Sequence, residues 1–469
     1  MKKILKLFLV MSLSVAIPNF LYATSKVKIS FDEFHGYNET VNYLKAVNKA
    51  YPSITKLLEI GKSTQNKVIY MLVITNQKSG TTLDREKKLV YERKLEVPNP
   101  PITDLDLGKP GFLLLGALHG DEKTGTEVCL YFIDQMLSKY NEDSSVTKDI
   151  DTKVFYVCPM VNTYGTHKTL GEEKIDIDRN FPEGWFVGDI MPDEAKNYND
   201  RISGYRGEMH PAGEGKFPTS IPESHAICEF IVDHPNIIFA NDYNGTGGNV
   251  YRPMGVKGDY RMEKRDITVY DEIMAPKYKE LCGCQKWESA SESGTEQHGL
   301  LIDWLYKQQG IYSLSIQPCN DKEENTKTLL STCEKQFQFC SFCIGLMPQI
   351  KIDNVKVSKK EGYGMVVLNI SAEVENAGVL PTTLKNAQFM PMNRGDVVWL
   401  VSKNNQLIFL SGNPCQKVGA LDGTQIINGS TCDNHKKEVN WQVTLKSKDT
   451  IKIVASSLKG GTTAKEVRY

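Results

Sequence analysis

The chain has little net charge, little histidine and only one long apolar run, and each shortage excludes a class of function. Lys and Arg number 56 against 57 Asp and Glu, so the net charge of −1 provides no global field to draw in nucleic acid or an anionic membrane. A nucleic-acid partner is not expected. Hydrophobic residues make up 40% and charged residues 24%, the balance of an ordinary globular protein, which excludes disordered, collagen-like and polytopic membrane classes. No internal repeat or low-complexity linker appears along the 469 residues. With eight histidines in all, any metal site must be assembled from very few of them.

The one long apolar run stands at the start. Lys2, Lys3 and Lys6 precede the stretch from Leu7 to Ile17, and Ala23 closes a small-residue cleavage site, the pattern of a secretory signal. Pro18 and Asn19 cut the run short of the roughly 20 residues that span a bilayer. We therefore expect residues 1–23 to be a signal peptide, a secreted or periplasmic protein, and no transmembrane span in the mature chain. No Cys follows the run closely, so a lipoprotein is not indicated, and the short stretch before Phe34 leaves no room for a large pro-domain.

Eleven cysteines in an exported chain permit disulfides, with at least one thiol left over in a monomer. Cys415 and Cys432 bracket a polar, Gly-rich loop and are the favoured pair. Cys340 and Cys343 fall at helical spacing with Cys333 and Phe337, which reads as small buried side chains rather than a metal or redox motif.

Two regions differ in hydrophobic period. Val41, Leu44 and Val47 mark a helix, Val68 to Ile74 a buried strand, Phe112 to Leu118 another, Val128 to Leu137 a helix, Val154 to Val161 a strand, and Thr326 to Met347 a late helix. That alternation predicts an α/β domain, residues 24–348, with a mixed central sheet flanked by helices. From Gln349 the period becomes two, through Gly364 to Gly378, Val397 to Leu400, Gln406 to Leu410 and Asn440 to Val454. Residues 349–469 are expected to form a small β-sandwich.

Chemistry first appears where the strand ending at Leu118 runs into His119-Gly-Asp-Glu122 and a helix. An imidazole at a strand end and a carboxylate three residues on can converge on one cation, and that donor pair suits zinc. Taken alone, Glu122 also fits as an acidic residue stabilising a helix start.

Further segments supply context. Tyr51-Pro52 is followed by Ile60 to Ser63, and Pro159-Met-Val-Asn162-Thr-Tyr-Gly165 by Asp176-Ile-Asp178-Arg179-Asn180-Phe181-Pro182; Ile302-Asp303-Trp304 precedes Gly310-Ile311-Tyr312. In order and spacing these resemble the zinc carboxypeptidases of the carboxypeptidase A-like family, over roughly Phe34 to Pro348. The resemblance implies zinc held by His119, Glu122 and a third ligand nine residues before Pro253, a position filled here by Asn244. It places the general base fourteen residues after Asp303, at Gln317. It implies that Arg179 and the residue before it grip a substrate's terminal carboxylate, yet Asp178 stands where the family has Asn. Ile302 takes the specificity position, where an apolar residue resembles enzymes preferring aromatic or aliphatic ends.

An amide oxygen is a poorer zinc donor than imidazole nitrogen, so weak or partial zinc occupancy is expected. Gln317 has no usable basicity near neutral pH, and general-base catalysis is worth about 10²–10⁴ in rate. No Tyr occurs from Glu288 to Leu305 to replace the family's mobile-loop Tyr, and Lys168 or Lys174 would have to polarise the carbonyl. Asp242, on the same strand face as Asn244, and His298 are candidate substitute ligands. The expectation is a peptide-binding homologue, its ligand a peptide or peptidoglycan-derived peptide, with little hydrolysis. The alternative is an active metallocarboxypeptidase with a rearranged or experimentally inactivated site; Asp178 and the missing Tyr, which deliberate inactivation would not need, weigh against the latter. The β domain resembles sandwiches appended to bacterial secreted carboxypeptidases and carries no clustered catalytic set.

Overall fold

The computed structural model describes residues 25–77, 108–163, 176–185, 215–255, 262–283, 286–293, 298–318, 324–362, 365–390, 395–404, 406–424 and 434–469. Lys168, Lys174, Cys432 and the position of the absent Tyr, around Thr295, lie outside them.

In chain order the first region contains α1 (Tyr37–Ala50), β1 (Thr55–Lys62), β2 (Val68–Ile74), β3 (Gly111–Gly116), α2 (Lys123–Lys139), α3 (Ser144–Thr152) and β4 (Val154–Cys158). It continues with α4 (Pro222–Asp233), β5 (Ile237–Tyr243), β6 (Asn249–Arg252), α5 (Lys264–Thr268), α6 (Ala275–Cys282), β7 (Lys286–Ser289), α7 (Leu301–Gln309), β8 (Tyr312–Ile316) and α8 (Thr326–Leu346). The strands form one sheet in the order β1-β2-β4-β3-β5-β8-β6-β7. β3, β4, β5 and β8 run parallel to their neighbours within the group, whereas β1–β2, β2–β4 and β6–β8 pair antiparallel. The sheet is therefore mixed, as expected.

Both faces are covered, which explains why the central strands are unbroken apolar runs. On one face Leu44, Phe132, Tyr278 and Phe339 from α1, α2, α6 and α8 meet Phe112, Leu114 and Phe239. On the other, Ile227 and Ile231 of α4 and Trp304 and Leu305 of α7 cover Leu113, Leu115 and Tyr156. Local signals start and stop the helices. Asp143 accepts from the amides of Ser145 and Val146 at the start of α3, and Gly310 ends α7 in the left-handed conformation at φ 59°. Cys333, Cys340 and Cys343 are buried free thiols on α8, and the Cys340 sulfur meets the Tyr243 hydroxyl at 3.1 Å.

The second region holds β9 (Ile350–Gly362), β10 (Met365–Asn376), β11 (Asp396–Ser402), β12 (Leu407–Ser411), β13 (Cys415–Gly419), β14 (Lys436–Leu445), β15 (Ile451–Ser457) and β16 (Gly461–Val467). Two four-stranded sheets, β12-β14-β10-β9 and β13-β11-β15-β16, enclose Leu368, Ile370, Val398, Trp441 and Ile453. The stretch from Asn440 to Val454 is two strands in different sheets. Asp449 divides them, its carboxylate accepting from the amides of Asn404 and Thr450. The two regions are joined by polar contacts: the buried Asp266 carboxylate of α5 accepts from the amides of Lys385 and Asn386, each at 3.1 Å, and Lys459 reaches the carbonyl of Gln309 at 3.0 Å. Among the described residues no helix is long and apolar enough to cross a membrane.

Candidate functional site

The site is assembled where β3, β5 and β8 end together, and two glycines make the assembly possible. A Cβ on Gly116 would lie 2.6 Å from the carbonyl oxygen of Gly125, and one on Gly125 would lie 2.5 Å from that of Tyr243. Without side chains at these points the first turn of α2 sits directly on the strand ends. Glu122, the residue preceding α2, is thereby carried to His119, just beyond β3, and toward Asn244, just beyond β5.

His119 is held from both ring nitrogens. Its Nδ1 faces both Glu122 carboxylate oxygens at 3.3 Å, and its Nε2 meets Asp176 Oδ1 at 2.9 Å. Burial disfavours the charged imidazolium, but the hydrogen bonds to Asp176 and Glu122 and their charges outweigh it and raise the His119 pKa to about 11. Arg179 Nε stands 3.7 Å from the other Asp176 oxygen. A carboxylate behind the second nitrogen of a ligating imidazole fixes ring orientation and raises basicity. Asp176 was not singled out by sequence reasoning; its only signal was its place in the Asp176 to Pro182 block.

Asp178 and Arg179 occupy a single 3₁₀ turn, Ile177–Arg179. The resemblance places Asp178 where the family grips a substrate's terminal carboxylate. Instead it is turned inward, 8% exposed, with Oδ1 accepting from the Leu301 amide at 3.0 Å and Oδ2 from Asn244 Nδ2 at 3.3 Å. The first-turn amide of α7, which has no partner within the helix, and the Asn244 amide group supply donors that solvent would otherwise have to provide. Burial, opposed by the Leu301 amide, raises the Asp178 pKa to about 7. Asn180 is a structural tie, receiving the Ile221 amide and the Ser224 hydroxyl on its Oδ1.

Gln317 lies one residue past β8. Its amide donates to the Asn249 carbonyl, and Asn249 Nδ2 donates back to Gln317 Oε1, both at 2.8 Å. The point where a Cβ on Gly245 would sit is 3.3 Å from Gln317 Nε2 and 3.4 Å from Glu122 Oε1, so these side chains flank the same backbone turn. Gly245 has φ 87°, a conformation that glycine adopts without strain. Asn249 carried no signal in the sequence.

Ile302 is buried on α7 among Ala290, Leu300 and Tyr251. Its neighbour Asp303 accepts the Gly255 amide on both carboxylate oxygens, at 2.9 and 3.1 Å, which ties α7 to the segment after β6. His298 is buried, 7% exposed. Asp242 is more unusual: it is 2% exposed and, among the described residues, neither carboxylate oxygen has a hydrogen-bond partner. Burial raises its pKa well above the ordinary value, and the charges of Asp178, His119 and Glu122 all act on it. His234 is the C-terminal cap of α4, buried, and stacks on Phe230 with ring centroids 4.0 Å apart.

Whether these residues suit a zinc ion can be judged from the donors. His119 Nδ1 and Glu122 converge and Asp176 backs the imidazole, as two ligands of a metal require. Among the described residues, however, no three His, Cys, Asp or Glu side chains are grouped so as to hold an ion. A three-donor zinc site is not completed by acids and imidazoles alone.

A sheet of this order, with a His-x-x-Glu pair at the parallel strand ends, is the architecture of a metallopeptidase. The chain belongs to the zinc carboxypeptidase family, whose model matches residues 40–339; a second family model, described only as a domain of unknown function, matches residues 349–468. Carboxypeptidase M of Mus musculus is 28% identical over 252 residues, 51% of this chain and 45% of that protein. Carboxypeptidase D of Homo sapiens is 24% identical over 238 residues, 50% of this chain and 14% of that protein. The chain thus spans less than half the length of either. Among solved structures, thrombin activatable fibrinolysis inhibitor has a TM-score of 0.52 at 16% identity, with 67% of this chain and 74% of that one aligned. Carboxypeptidase A from Helicoverpa armigera gives 0.51 at 16% identity over the same shares. These likenesses concern the fold.

Proposed function

We propose that this protein is an exported member of the family that binds peptides, peptidoglycan-derived peptides among them, and hydrolyses them little or not at all. The observation that carries this reading is the pairing of Gln317 with Asn249, which presents an amide group beside Glu122 where the family's general base is a carboxylate. An amide there cannot accept a proton from water, and the loss is worth about 10²–10⁴ in rate. Asn244 in the third-ligand position adds to the deficit: its Nδ2 is spent on Asp178, leaving one amide oxygen as a donor. Arg179, beside Asp176, retains a cation for a terminal carboxylate, and the buried Ile302 supports an apolar subsite. The signal-like first 23 residues support export.

One observation favours the alternative, an active metallocarboxypeptidase with a rearranged site: the orientation of His119 by Asp176 is what a working metal ligand needs. Titration of hydrophobic-ended peptides into the purified mature chain separates the two. Binding that survives for hours with the peptide recovered intact is expected; release of the terminal residue at a rate abolished in Glu122→Ala overturns the binding-only reading.

A further inference from the structure

α7 meets the candidate site with its first turn and the second region with its last, so its two ends are held by different parts of the chain. At the start, the Leu301 amide donates to Asp178, the Asp303 carboxylate accepts from Gly255, and Ile302 forms the apolar wall. The partners there are segments of the site itself. Nine residues make the helix about 14 Å long, which carries its last turn well away from the strand ends. The last carbonyls of a helix have no partner within it, and here the second region supplies them. Asn386 Nδ2 donates to the Tyr306 carbonyl and Lys459 Nζ to the Gln309 carbonyl, both at 3.0 Å. A cation at this end also meets the negative pole of the helix dipole. Lys459, 6% exposed, donates in addition to the carbonyl of Ile237, the first residue of β5, the strand that leads to Asn244. One ammonium therefore fixes the ends of both elements that lie away from the site. Asn386 opens a 3₁₀ turn, Asn386–Phe389, and Asp266, which accepts the Asn386 amide, also accepts the Tyr306 hydroxyl at 2.9 Å. Ala387 comes so close to the end of α7 that a Cβ on Gly310 would lie 2.4 Å from its own. Leu380, Leu384 and Ala387 share a core with Tyr306 and Tyr312, so the contact extends the interior of the first region.

We propose that Asn386 and Lys459 are positioning residues for the candidate site: the β-sandwich region holds α7 by its carboxyl end and so sets where Leu301, Ile302 and, through the Leu301 amide, Asp178 stand for a bound peptide. Packing of Trp304 and Leu305 on the sheet is non-directional and holds the helix against it, whereas the hydrogen bonds at the two ends fix its place along its axis. At the start those bonds go to the 3₁₀ turn of Asp178 and to the segment after β6, which must themselves be placed. The far end supplies the fixed point. Loosening it lets α7 and the segments tied to its first turn move together, and the second region is thereby a working part of the binding site.

The effect on affinity rests on the proposed peptide site, whereas the placement of α7 can be read without any ligand. The purified protein is compared with Asn386→Ala, Lys459→Met and, as a reference, Arg265→Gln, which breaks the 2.7 Å bond to Asp422 between the same two regions from α5. Two quantities are measured for each: hydrogen exchange over residues 300–305, followed by mass spectrometry in native buffer, and the affinity for a hydrophobic-ended peptide by isothermal titration. Asn386→Ala and Lys459→Met are expected to exchange the Leu301 amide at least about 5-fold faster and to bind the peptide about 5-fold or more weakly, the lower end of usual coupling between sites, with exchange in β3 unchanged. Arg265→Gln should lower the melting temperature and leave both quantities at the wild-type level. Asn386→Ala removes one side-chain amide and keeps the backbone bond to Asp266, so it tests the proposal even if Lys459→Met does not fold. Wild-type exchange at Leu301 together with wild-type affinity in Asn386→Ala, or equal changes in Arg265→Gln, would overturn the positioning role. Faster exchange in the two variants with no peptide binding by any of the four proteins would uphold that role and sink the proposed function alone.

Discussion

Replacing Gln317 by Glu restores the family's carboxylate and, in the same step, puts a second negative charge beside Glu122. Both side chains lie against Gly245, and the two contacts, at 3.3 and 3.4 Å from one point, hold the Gln317 amide nitrogen and the Glu122 oxygen no more than about 6.7 Å apart. Two like charges at that separation repel by about 2.5 kcal/mol at an effective dielectric near 20, and the solvent around the partly exposed Gln317 brings the expected cost to roughly 1–2 kcal/mol. Asn249 Nδ2 can still donate to the new carboxylate, so the fold should be kept. Denaturant unfolding in chelator should therefore show Gln317→Glu less stable than wild type, with a melting temperature lower by a few degrees. A divalent cation between the two carboxylates should cancel the difference. Equal or greater stability of the variant in chelator would mean that Gln317 does not face Glu122, and the reading of the site would fall with it.

Two further substitutions test the scaffold. Gly125→Ala places a methyl group 2.5 Å from the Tyr243 carbonyl oxygen, an overlap that must push α2 off the strand ends; a loss of about 1–3 kcal/mol in chemical unfolding is expected, with weaker peptide and metal binding because Glu122 moves as well. His35 donates its amide to Glu127 and meets the same wholly buried carboxylate through Nδ1 at 2.8 Å, a hydrogen bond that raises the His35 pKa above its usual value despite burial. A raised folded pKa means that the contribution is complete below the unfolded value of about 6.5 and is lost as pH climbs through the folded one. His35→Ala should then cost about 2–3 kcal/mol in mildly acidic solution and less in alkaline solution, whereas a penalty independent of pH would show that the pair is not ionic.

The outline of the fold was legible because both faces of the central sheet are covered. β2 at Val68–Ile74 appears at its expected limits, and the change to two-residue alternation after Gln349 corresponds to the two β9–β16 sheets. The division between β14 and β15 was not visible, since alternation continues across Asp449 and only the contacts made by its carboxylate show the turn. At the site, the positions of His119, Glu122, Asn244 and Gln317 came from motif spacing, and the structure brings them to one group of strand ends. What spacing could not convey was direction. The resemblance put Asp178 against a substrate's terminal carboxylate, but the Leu301 and Asn244 donors draw it inward, and both arrive from segments more than sixty residues away. The second support of His119 and the clasp between Asn249 and Gln317 are likewise long-range, at separations of 57 and 68 residues.

The central question is whether a chain with an amide at residue 317 can cut a peptide bond. The most direct measurement is the release of carboxyl-terminal amino acids, followed by mass spectrometry, from hydrophobic-ended peptides incubated with the purified protein supplied with Zn²⁺ or Mn²⁺. Release no faster than in a Glu122→Ala control is predicted, with a rise only when Gln317→Glu and Asn244→His are combined. Metal-dependent turnover by the unaltered chain, lost in the control, would contradict it.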